Sequence, residues 1–200
     1  MAFKKSLENP EHIRNLIYKT NHILGDNVLV FGASNEHLIE ELLRYNKRIT
    51  IVDIRQDSLN RFIGKYPSVE LKLVERGRDF EGFISKFNSV IFYDTLHHIK
   101  NKRKKIKECY SALKSNGSVI LYEPNVYSKL AGEHDQFGKL KDSIYKYSLY
   151  RILKDNNFKV RLLSSEELLS RKRHLKKFII SMQKSLFDPR YRILMIAKKR

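Results

Sequence analysis

The sequence contains few of the residues that cross-link a chain and no long apolar run. Its 200 residues include one cysteine, Cys109, four prolines, eight glycines and no tryptophan. A single cysteine excludes an internal disulfide and a cysteine-based zinc site. No apolar run approaches the roughly 20 residues of a membrane-spanning helix, so we expect no transmembrane segment. The amino-terminal stretch MAFKKSLENPEH is charged and lacks the apolar core of a secretion signal. A cytoplasmic location is therefore predicted.

Negative charge is also scarce. Forty Lys and Arg residues stand against 22 Asp and Glu residues, which gives a formal net charge of +18. Such an excess attracts anions, including nucleic acid, anionic lipid head groups and phosphorylated or carboxylated small molecules. A lysine-rich solvated surface without any partner explains the same composition. Charge therefore indicates a class of ligand and leaves the fold open.

No repeat, low-complexity tract or Pro/Gly/Ser linker divides the chain, so residues 1–200 are predicted to form a single domain. We expect an N-terminal helical segment over residues 1–25. Short apolar, β-branched runs predict seven strands. These are Val28 to Phe31, Ile49 to Asp53, Val69 to Val74, Ser89 to Tyr93, Ser118 to Tyr122, Lys159 to Leu163 and Tyr191 to Ala197.

Helical patterns separate these strands. Apolar residues fall on one face in Glu36 to Tyr45 and in Lys104 to Lys114, and a further helix is predicted over Ser148 to Asp155. Alternation of strand and helix favours right-handed crossovers and a parallel sheet covered on both sides, an α/β fold of three α/β/α layers. This alternation stops after the fifth strand. The last strand is therefore predicted to join the sheet late in the chain and to be antiparallel. Residues 165–188 then form a basic insertion.

In an open parallel sheet, ligands bind beyond the carboxyl ends of the strands. After the first predicted strand, VLVFGASNE places Gly32 in a tight turn, and small Ala33 and Ser34 let a ligand approach the backbone. A plain strand-to-helix turn explains this segment equally well. Asp53 ends the second strand about twenty residues later, where a carboxylate can accept both hydroxyl protons of a ribose. Its alternative role is to cap the next helix.

The fourth and fifth predicted strands end in more specific motifs. DTLHHI, residues 94–99, paired with LKSNGSVILYEPN, residues 113–125, resembles the class I, Rossmann-like methyltransferases that use S-adenosylmethionine. The small-molecule enzymes of the ubiquinone-biosynthesis type are the most similar. The resemblance covers roughly residues 26–125 and continues more faintly in LYRILKDNNFKV and RYRILMIAKK. It implies a Rossmann-like fold, methyl transfer and S-adenosylmethionine as cofactor.

The resemblance also implies roles for single residues. Gly32 matches the first glycine of the cofactor loop, which Ala33 and Ser34 continue. Asp53 matches the ribose-binding acid, and Ile54 the apolar neighbour that packs on adenine. Glu75 falls where an acid receives the adenine amino group, and Asp94 and Thr95 fall on the loop beneath the methionine part.

Three positions depart from the family pattern. Val30 stands where an acid normally helps to hold the cofactor's ammonium group, and Ser34 and Glu36 replace the second and third glycines. One hypothesis is that Glu36 turns inward and supplies the missing negative charge. The alternative is that the cofactor loop is degenerate, in a relative that binds something else or only scaffolds a partner.

Methyl transfer from a sulfonium is an in-line displacement that needs alignment in a dry pocket rather than a fixed catalytic triad. A base helps when the acceptor carries a proton, and His98 and His134 are the candidates. His97 and His98 both follow the fourth strand, and the simpler role for such histidines is packing. Residues 126–147, which include His134, are predicted to form a lid over the acceptor, or else a solvated loop. No cluster has the spacing of metal ligands, so we predict no metal.

Two basic runs suggest where anions would bind. KNKRKKIK, residues 100–107, has six basic residues in eight at the start of a helix, where cations oppose the helix dipole. RKRHLKK, residues 171–177, lies in the predicted insertion. A nucleic-acid surface would use Lys102, Arg103, Lys104, Lys105, Arg171 and Arg173.

Three functions follow from the sequence. The first is a methyltransferase acting on a small-molecule or lipid-linked, anionic acceptor. The second is an RNA methyltransferase or RNA-binding protein, which the charge favours. The third is a non-catalytic scaffold with a methyltransferase fold. Against adenine N-methylation of nucleic acid, the fourth strand ends in YDTL and not in a Pro-Pro-aromatic motif.

Overall fold

A computed structural model describes residues 10–33, 35–124, 146–163 and 192–200. The helices are α1 (Pro10–Leu24), α2 (Glu36–Arg44), α3 (Gln56–Asn60), α4 (Lys102–Ala112) and α5 (Lys146–Asp155), and a 3-10 turn spans Leu96–His98. The strands are β1 (Asn27–Phe31), β2 (Arg48–Asp53), β3 (Glu70–Leu73), β4 (Phe87–Tyr93), β5 (Leu113–Pro124), β6 (Phe158–Leu163) and β7 (Arg192–Lys199).

All seven strands form one sheet in the order β3-β2-β1-β4-β5-β7-β6. Strands β1 to β5 pair in parallel, and β7 inserts antiparallel between β5 and β6. The predicted seven-stranded, mostly parallel sheet with an antiparallel last strand is thus confirmed. Because the order reverses at β1, the carboxyl ends of β1, β2 and β4 lie side by side at the switch point where such sheets bind ligands.

Each face of the sheet buries its own apolar core, because successive side chains of a buried parallel strand point to opposite faces. One core holds Leu29 and Phe31 of β1 and is covered by α4 and α5. The other holds Val28 and Val30 and is covered by α1 and α2. Helices on both faces complete the predicted α/β/α layers.

All of the predicted strands are present, but some of their ends differ from the prediction. Strand β5 begins at Leu113, earlier than the predicted Ser118, and its register with β4 shifts between Phe87 and Ser89. Of the predicted N-terminal helical segment over residues 1–25, Pro10–Leu24 form α1, and residues 1–9 lie outside the described residues. The lid over residues 126–147 lies outside the described residues except for its last two, which begin α5, and the basic insertion over residues 165–188 lies wholly outside them. Within the described ranges, no helix is long and apolar enough to cross a membrane.

Candidate active site

The loop after β1 turns sharply at Gly32. Its φ of +88° is in the region that favours glycine, and its N–H donates to Val52 O of β2 at 2.8 Å. A Cβ placed on Gly32 would lie 2.7 Å from Thr95 Oγ1 and 2.8 Å from Thr95 Cγ2. The absence of a side chain at residue 32 therefore lets the loops after β1 and β4 pack directly together.

Asp53, at the end of β2, reaches across to this loop. Its Oδ2 accepts a hydrogen bond from the backbone N–H of Ala33 at 2.8 Å, and its Oδ1 accepts one from Arg55 N–H at 2.9 Å. The carboxylate is half-buried and oriented. A carboxylate offers about four acceptor positions, so this one keeps capacity for a further donor beside Gly32.

Two residues of the segment after β2 contact the loop after β1 and the start of α2. The sequence analysis did not predict these contacts. Arg61 donates to the carbonyl oxygen of Ala33, and Lys65 forms an ion pair with Glu36 in the first turn of α2. The hydrogen bond to Glu36 raises the pKa of Lys65. Glu36 is therefore directed toward Lys65 rather than inward. No sequence spacing could have indicated these pairs, because they join residues of different elements.

The other predicted cofactor residues lie in different environments. Ile54 is an apolar side chain left 40% exposed next to Asp53. Glu75 follows β3 with its side chain 80% exposed, 3.7 Å from Arg78. Val30 is buried inside the sheet and is not available to a ligand. Ser34 lies outside the described residues.

Asp94 and Thr95 begin the loop after β4. Asp94 is half-buried and has a positive φ of +55°, and its N–H donates to Tyr122 O at 2.9 Å. Thr95 Oγ1 donates to Tyr93 O at 2.9 Å while its side chain rests against Gly32. A left-handed aspartate at this point is a local backbone strain of the kind that concentrates at functional sites.

Glu123, at the end of β5, organises this loop and was given no role in the sequence analysis. Its side chain is 0% exposed. Oε1 accepts from the backbone N–H groups of Thr95 at 3.1 Å and Leu96 at 2.8 Å. Oε2 lies 3.3 Å from His97 N–H and 2.7 Å from His97 Nδ1. The available signal was an acid ending a strand inside the motif LYEPN, beside the strand that carries DTLHHI.

Of the predicted bases, His98 lies in the 3-10 turn, and its ring is 3.8 Å from that of His97. His134 lies outside the described residues. It is His97 that contacts the buried carboxylate. Cys109 is fully buried in α4, and burial raises the pKa of its thiol, so it is not a nucleophile for this site.

Asp94, His97 and Glu123 place one ligand atom each within 4.8 Å of one another. That spacing could suit a metal ion. However, both oxygens of Glu123 already accept hydrogen bonds from the turn that follows β4. These hydrogen bonds account for Glu123 and His97, and we assign no metal to the cluster.

Several cations of the first basic run have partners within the protein. Arg103 pairs with Asp155 at 2.6 Å, Lys104 lies 3.8 Å from Glu108, and Lys102 donates to Ile99 O at 2.8 Å. Lys105 was expected on an exposed nucleic-acid surface, and this is wrong. Its side chain is 5% exposed and paired with Asp79, because the helix turns that position toward the core. Arg171 and Arg173 lie outside the described residues.

Comparison with known proteins bears on the fold and the class of protein. Residues 29–121 match the family described as a methyltransferase domain, which uses S-adenosylmethionine. No curated protein matches the sequence.

Solved structures match over nearly the whole chain. An S-adenosylmethionine-dependent methyltransferase from Archaeoglobus fulgidus is 18% identical with a TM-score of 0.73, covering 99% of this chain and 98% of its own. A type 11 methyltransferase from Sulfolobus solfataricus, described as putative, is 20% identical with a TM-score of 0.62, covering 97% and 93%.

A third structure contains ligands. The 1,6-didemethyltoxoflavin-N1-methyltransferase from Burkholderia thailandensis, solved with its substrate and S-adenosylhomocysteine, is 13% identical with a TM-score of 0.63, covering 96% of this chain and 79% of its own. At these identities the structures establish the fold, and the class of enzyme rests on the family match over residues 29–121. That part of the chain therefore matches an S-adenosylmethionine-dependent methyltransferase domain, and the chain has the class I methyltransferase fold.

Proposed function

We propose that this enzyme methylates a small-molecule or lipid-linked, anionic acceptor, with the cofactor held along the carboxyl ends of β1, β2 and β4. The observation that carries the proposal is the position of Asp53, whose carboxylate is fixed on the loop after β1 by the bond from Ala33 N–H at 2.8 Å. A ribose diol would bind the remaining acceptor positions of this carboxylate through charge-assisted hydrogen bonds.

The neighbouring residues fit the rest of a nucleoside. Ile54 offers an exposed apolar side chain beside Asp53, which suits packing against an adenine ring. Gly32 and Ala33 form the turn after β1, and Ser34 continues the same loop in the sequence. Glu75 follows β3 and is free to swing toward an adenine amino group, since most of its side chain is exposed.

The methionine part of S-adenosylmethionine must be bound without the acid that Val30 replaces. Glu36 is held by Lys65, so it does not supply that charge. Asp94 is the half-buried carboxylate on the loop after β4, and we assign the ammonium group to it, with Thr95 beneath the methionine chain. The subtype of the ubiquinone-biosynthesis enzymes and the degenerate character of the loop stay part of this proposal.

S-adenosylmethionine supplies a methyl group bound to a positively charged sulfur. Transfer then needs the acceptor to be aligned and water to be excluded, which positioning alone can promote strongly. The residues of this chain thus act chiefly by orienting the two reactants, and residues 126–147 are proposed to cover the acceptor.

The size and charge of the acceptor rest on separate observations. The ligand-bound relative from Burkholderia thailandensis takes a small heterocycle, which supports a small acceptor here. Arg103 and Lys104, in the run over residues 100–107, pair with Asp155 and Glu108, which weakens the case for RNA. The net charge of +18 still produces a field that favours an anionic acceptor.

Calorimetry with S-adenosylhomocysteine tests the site. Asp53→Asn keeps one oxygen for the Ala33 N–H but loses a charged acceptor. One hydrogen bond to a charged group is worth about 1.5–3 kcal/mol, so affinity should fall roughly 10- to 150-fold. Asp57→Asn, on the exposed helix α3, is the matched control and should bind like the wild type. Unchanged affinity in Asp53→Asn would mean that the nucleoside binds elsewhere, and no binding by the wild type would favour the scaffold.

A second measurement separates a small acceptor from RNA. Retention on immobilised RNA should match retention on heparin and disappear at moderate salt, because only the general field contributes. A clear preference for RNA that persists at the same ionic strength would favour the RNA methyltransferase.

A further inference from the structure

Glu123 is a fully buried charge whose described contacts all come from one short turn. A carboxylate in the interior is strongly unfavourable unless hydrogen bonds satisfy its oxygens. Here the N–H groups of residues 95, 96 and 97 and the ring of His97 provide the donors. The buried charge therefore fixes both the path of the turn and the orientation of the His97 ring.

The same contact determines which ring nitrogen of His97 is basic. A carboxylate only accepts hydrogen bonds, so we assign the imidazole proton to Nδ1, which lies 2.7 Å from Glu123 Oε2. In the neutral ring the lone pair is then on Nε2. The side chain of His97 is 18% exposed, so it lies at the boundary between the buried pair and the space outside the sheet.

This boundary adjoins the cofactor loop. Thr95 packs against Gly32, and His97 follows Thr95 by two residues in the turn that begins at Leu96. Asp94, Glu123 and His97 bring their side-chain ligand atoms within 4.8 Å of one another, and the His98 ring lies beside His97. The charged and titratable groups facing His97 are therefore two carboxylates and one imidazole.

We propose that His97 is the general base of the reaction and that Glu123 is its positioning residue. The proposal rests on the proposed function and implies an acceptor that carries a hydroxyl group. As the acceptor oxygen forms its bond to the methyl carbon, the carbon–sulfur bond breaks and leaves its electron pair on sulfur. The hydroxyl proton moves to His97 Nε2. The resulting imidazolium is stabilised by the carboxylates of Glu123 and Asp94. General bases of this kind contribute roughly 10²- to 10⁴-fold to the rate.

The arrangement distinguishes His97 from its neighbour. His98 was the base expected from the sequence, yet the hydrogen bond that fixes a tautomer is made to His97. His98→Asn is therefore the matched control. His97→Asn is the test variant, because an asparagine amide can still donate to Glu123 while the basic Nε2 is lost.

Nitrogen NMR of the protein labelled at histidine reads the tautomer directly, without an acceptor. In the neutral form of the His97 ring we expect the proton to be on Nδ1. Glu123→Gln should convert it to a mixture of tautomers, while calorimetry shows that S-adenosylhomocysteine still binds. A His97 found in the Nε2–H form, or unchanged in Glu123→Gln, would overturn the positioning role.

Carbethoxylation by diethyl pyrocarbonate tests where Nε2 points. The reagent modifies unprotonated, accessible imidazole nitrogen, and peptide mapping separates residues 97 and 98. Because the base must face the acceptor, whose place S-adenosylhomocysteine does not fill, His97 should stay reactive in protein saturated with S-adenosylhomocysteine. The modified site should vanish in His97→Asn and persist in His98→Asn.

Failure of the reagent to modify His97 in the folded protein, in a sample that calorimetry shows to bind S-adenosylhomocysteine, would refute the base while leaving cofactor binding intact. Failure of S-adenosylhomocysteine to bind at all would instead refute the proposed site. Chemical modification thus tests the base, and calorimetry tests the cofactor site.

Discussion

Replacing Gly32 by alanine perturbs the site in two separable ways. The φ of +88° is unfavourable for any residue with a Cβ, at about 1–2 kcal/mol. The new methyl group would also lie 2.7 Å from Thr95 Oγ1 and 2.8 Å from Thr95 Cγ2, and over-packing of this kind costs about 1–3 kcal/mol. We therefore expect Gly32→Ala to lower the free energy of unfolding by roughly 2–5 kcal/mol.

Denaturant unfolding measures this loss, and Gly64→Ala provides the control. Gly64 has a similar φ of +73°, but a Cβ there would meet nothing within 4 Å. Gly64→Ala should lower the free energy of unfolding only through its backbone conformation. The net loss should be about 1 kcal/mol, because alanine also restricts the unfolded chain and so offsets part of the cost. Thr95→Ala in the Gly32→Ala background removes both clashing atoms and should recover most of the difference.

The double-mutant cycle also corrects for the hydrogen bond from Thr95 Oγ1 to Tyr93 O, which is lost in either background. If Gly32→Ala and Gly64→Ala prove equally stable, the loops after β1 and β4 do not pack as described. The same result would undermine the placement of the cofactor site, because both loops line it.

Three further predictions concern individual side chains. Lys105→Met should destabilise the fold by about 3–5 kcal/mol, because it leaves the Asp79 carboxylate buried without its partner, and adding Asp79→Leu should restore most of that loss in the same unfolding assay. Cys109 should react with a thiol reagent only after denaturation, because burial raises the pKa of its thiol; fast reaction in the native protein would contradict its place in α4. Glu36→Gln should leave affinity for S-adenosylhomocysteine unchanged in calorimetry, since Glu36 pairs with Lys65; weaker binding would revive an inward role for Glu36.

Much of the fold could be predicted because its signals are local. Buried parallel strands appear as short β-branched runs, and the alternation with amphipathic helices favours parallel pairing. The sequence also predicted that β7 joins the sheet late in the chain, because the alternation of strands and helices stops after the fifth strand. The position of β7 between β5 and β6 has no local signal, since pairing partners are chosen by which faces and edges remain to be covered.

The candidate site was less accessible to sequence reasoning. Asp53 was found because it ends a strand at a set distance from Gly32. Glu123 also ends a strand, but its role depends on the turn after β4, which lies 26 to 28 residues away in the chain. Arg61 and Lys65 likewise reach the loop after β1 only through the packing of separate elements.

The burial of Lys105 illustrates the limit of composition. A run of six basic residues in eight predicts an exposed cationic surface. The helical rotation of α4 nevertheless turns Lys105 inward, between Phe31, Phe80 and Asp79. A count of charges carries no information about which side of a helix each charge occupies.

The sequence by itself determined the class of this protein: its periodicity sets the elements, and its strand-terminal motifs carry the resemblance to methyltransferases. Tertiary structure alone decided which histidine contacts the buried carboxylate and which cations remain on the surface. The reason is physical. Hydrogen bonding and burial act over a few ångströms in space, and they join residues whose separation along the chain places no limit on their contact.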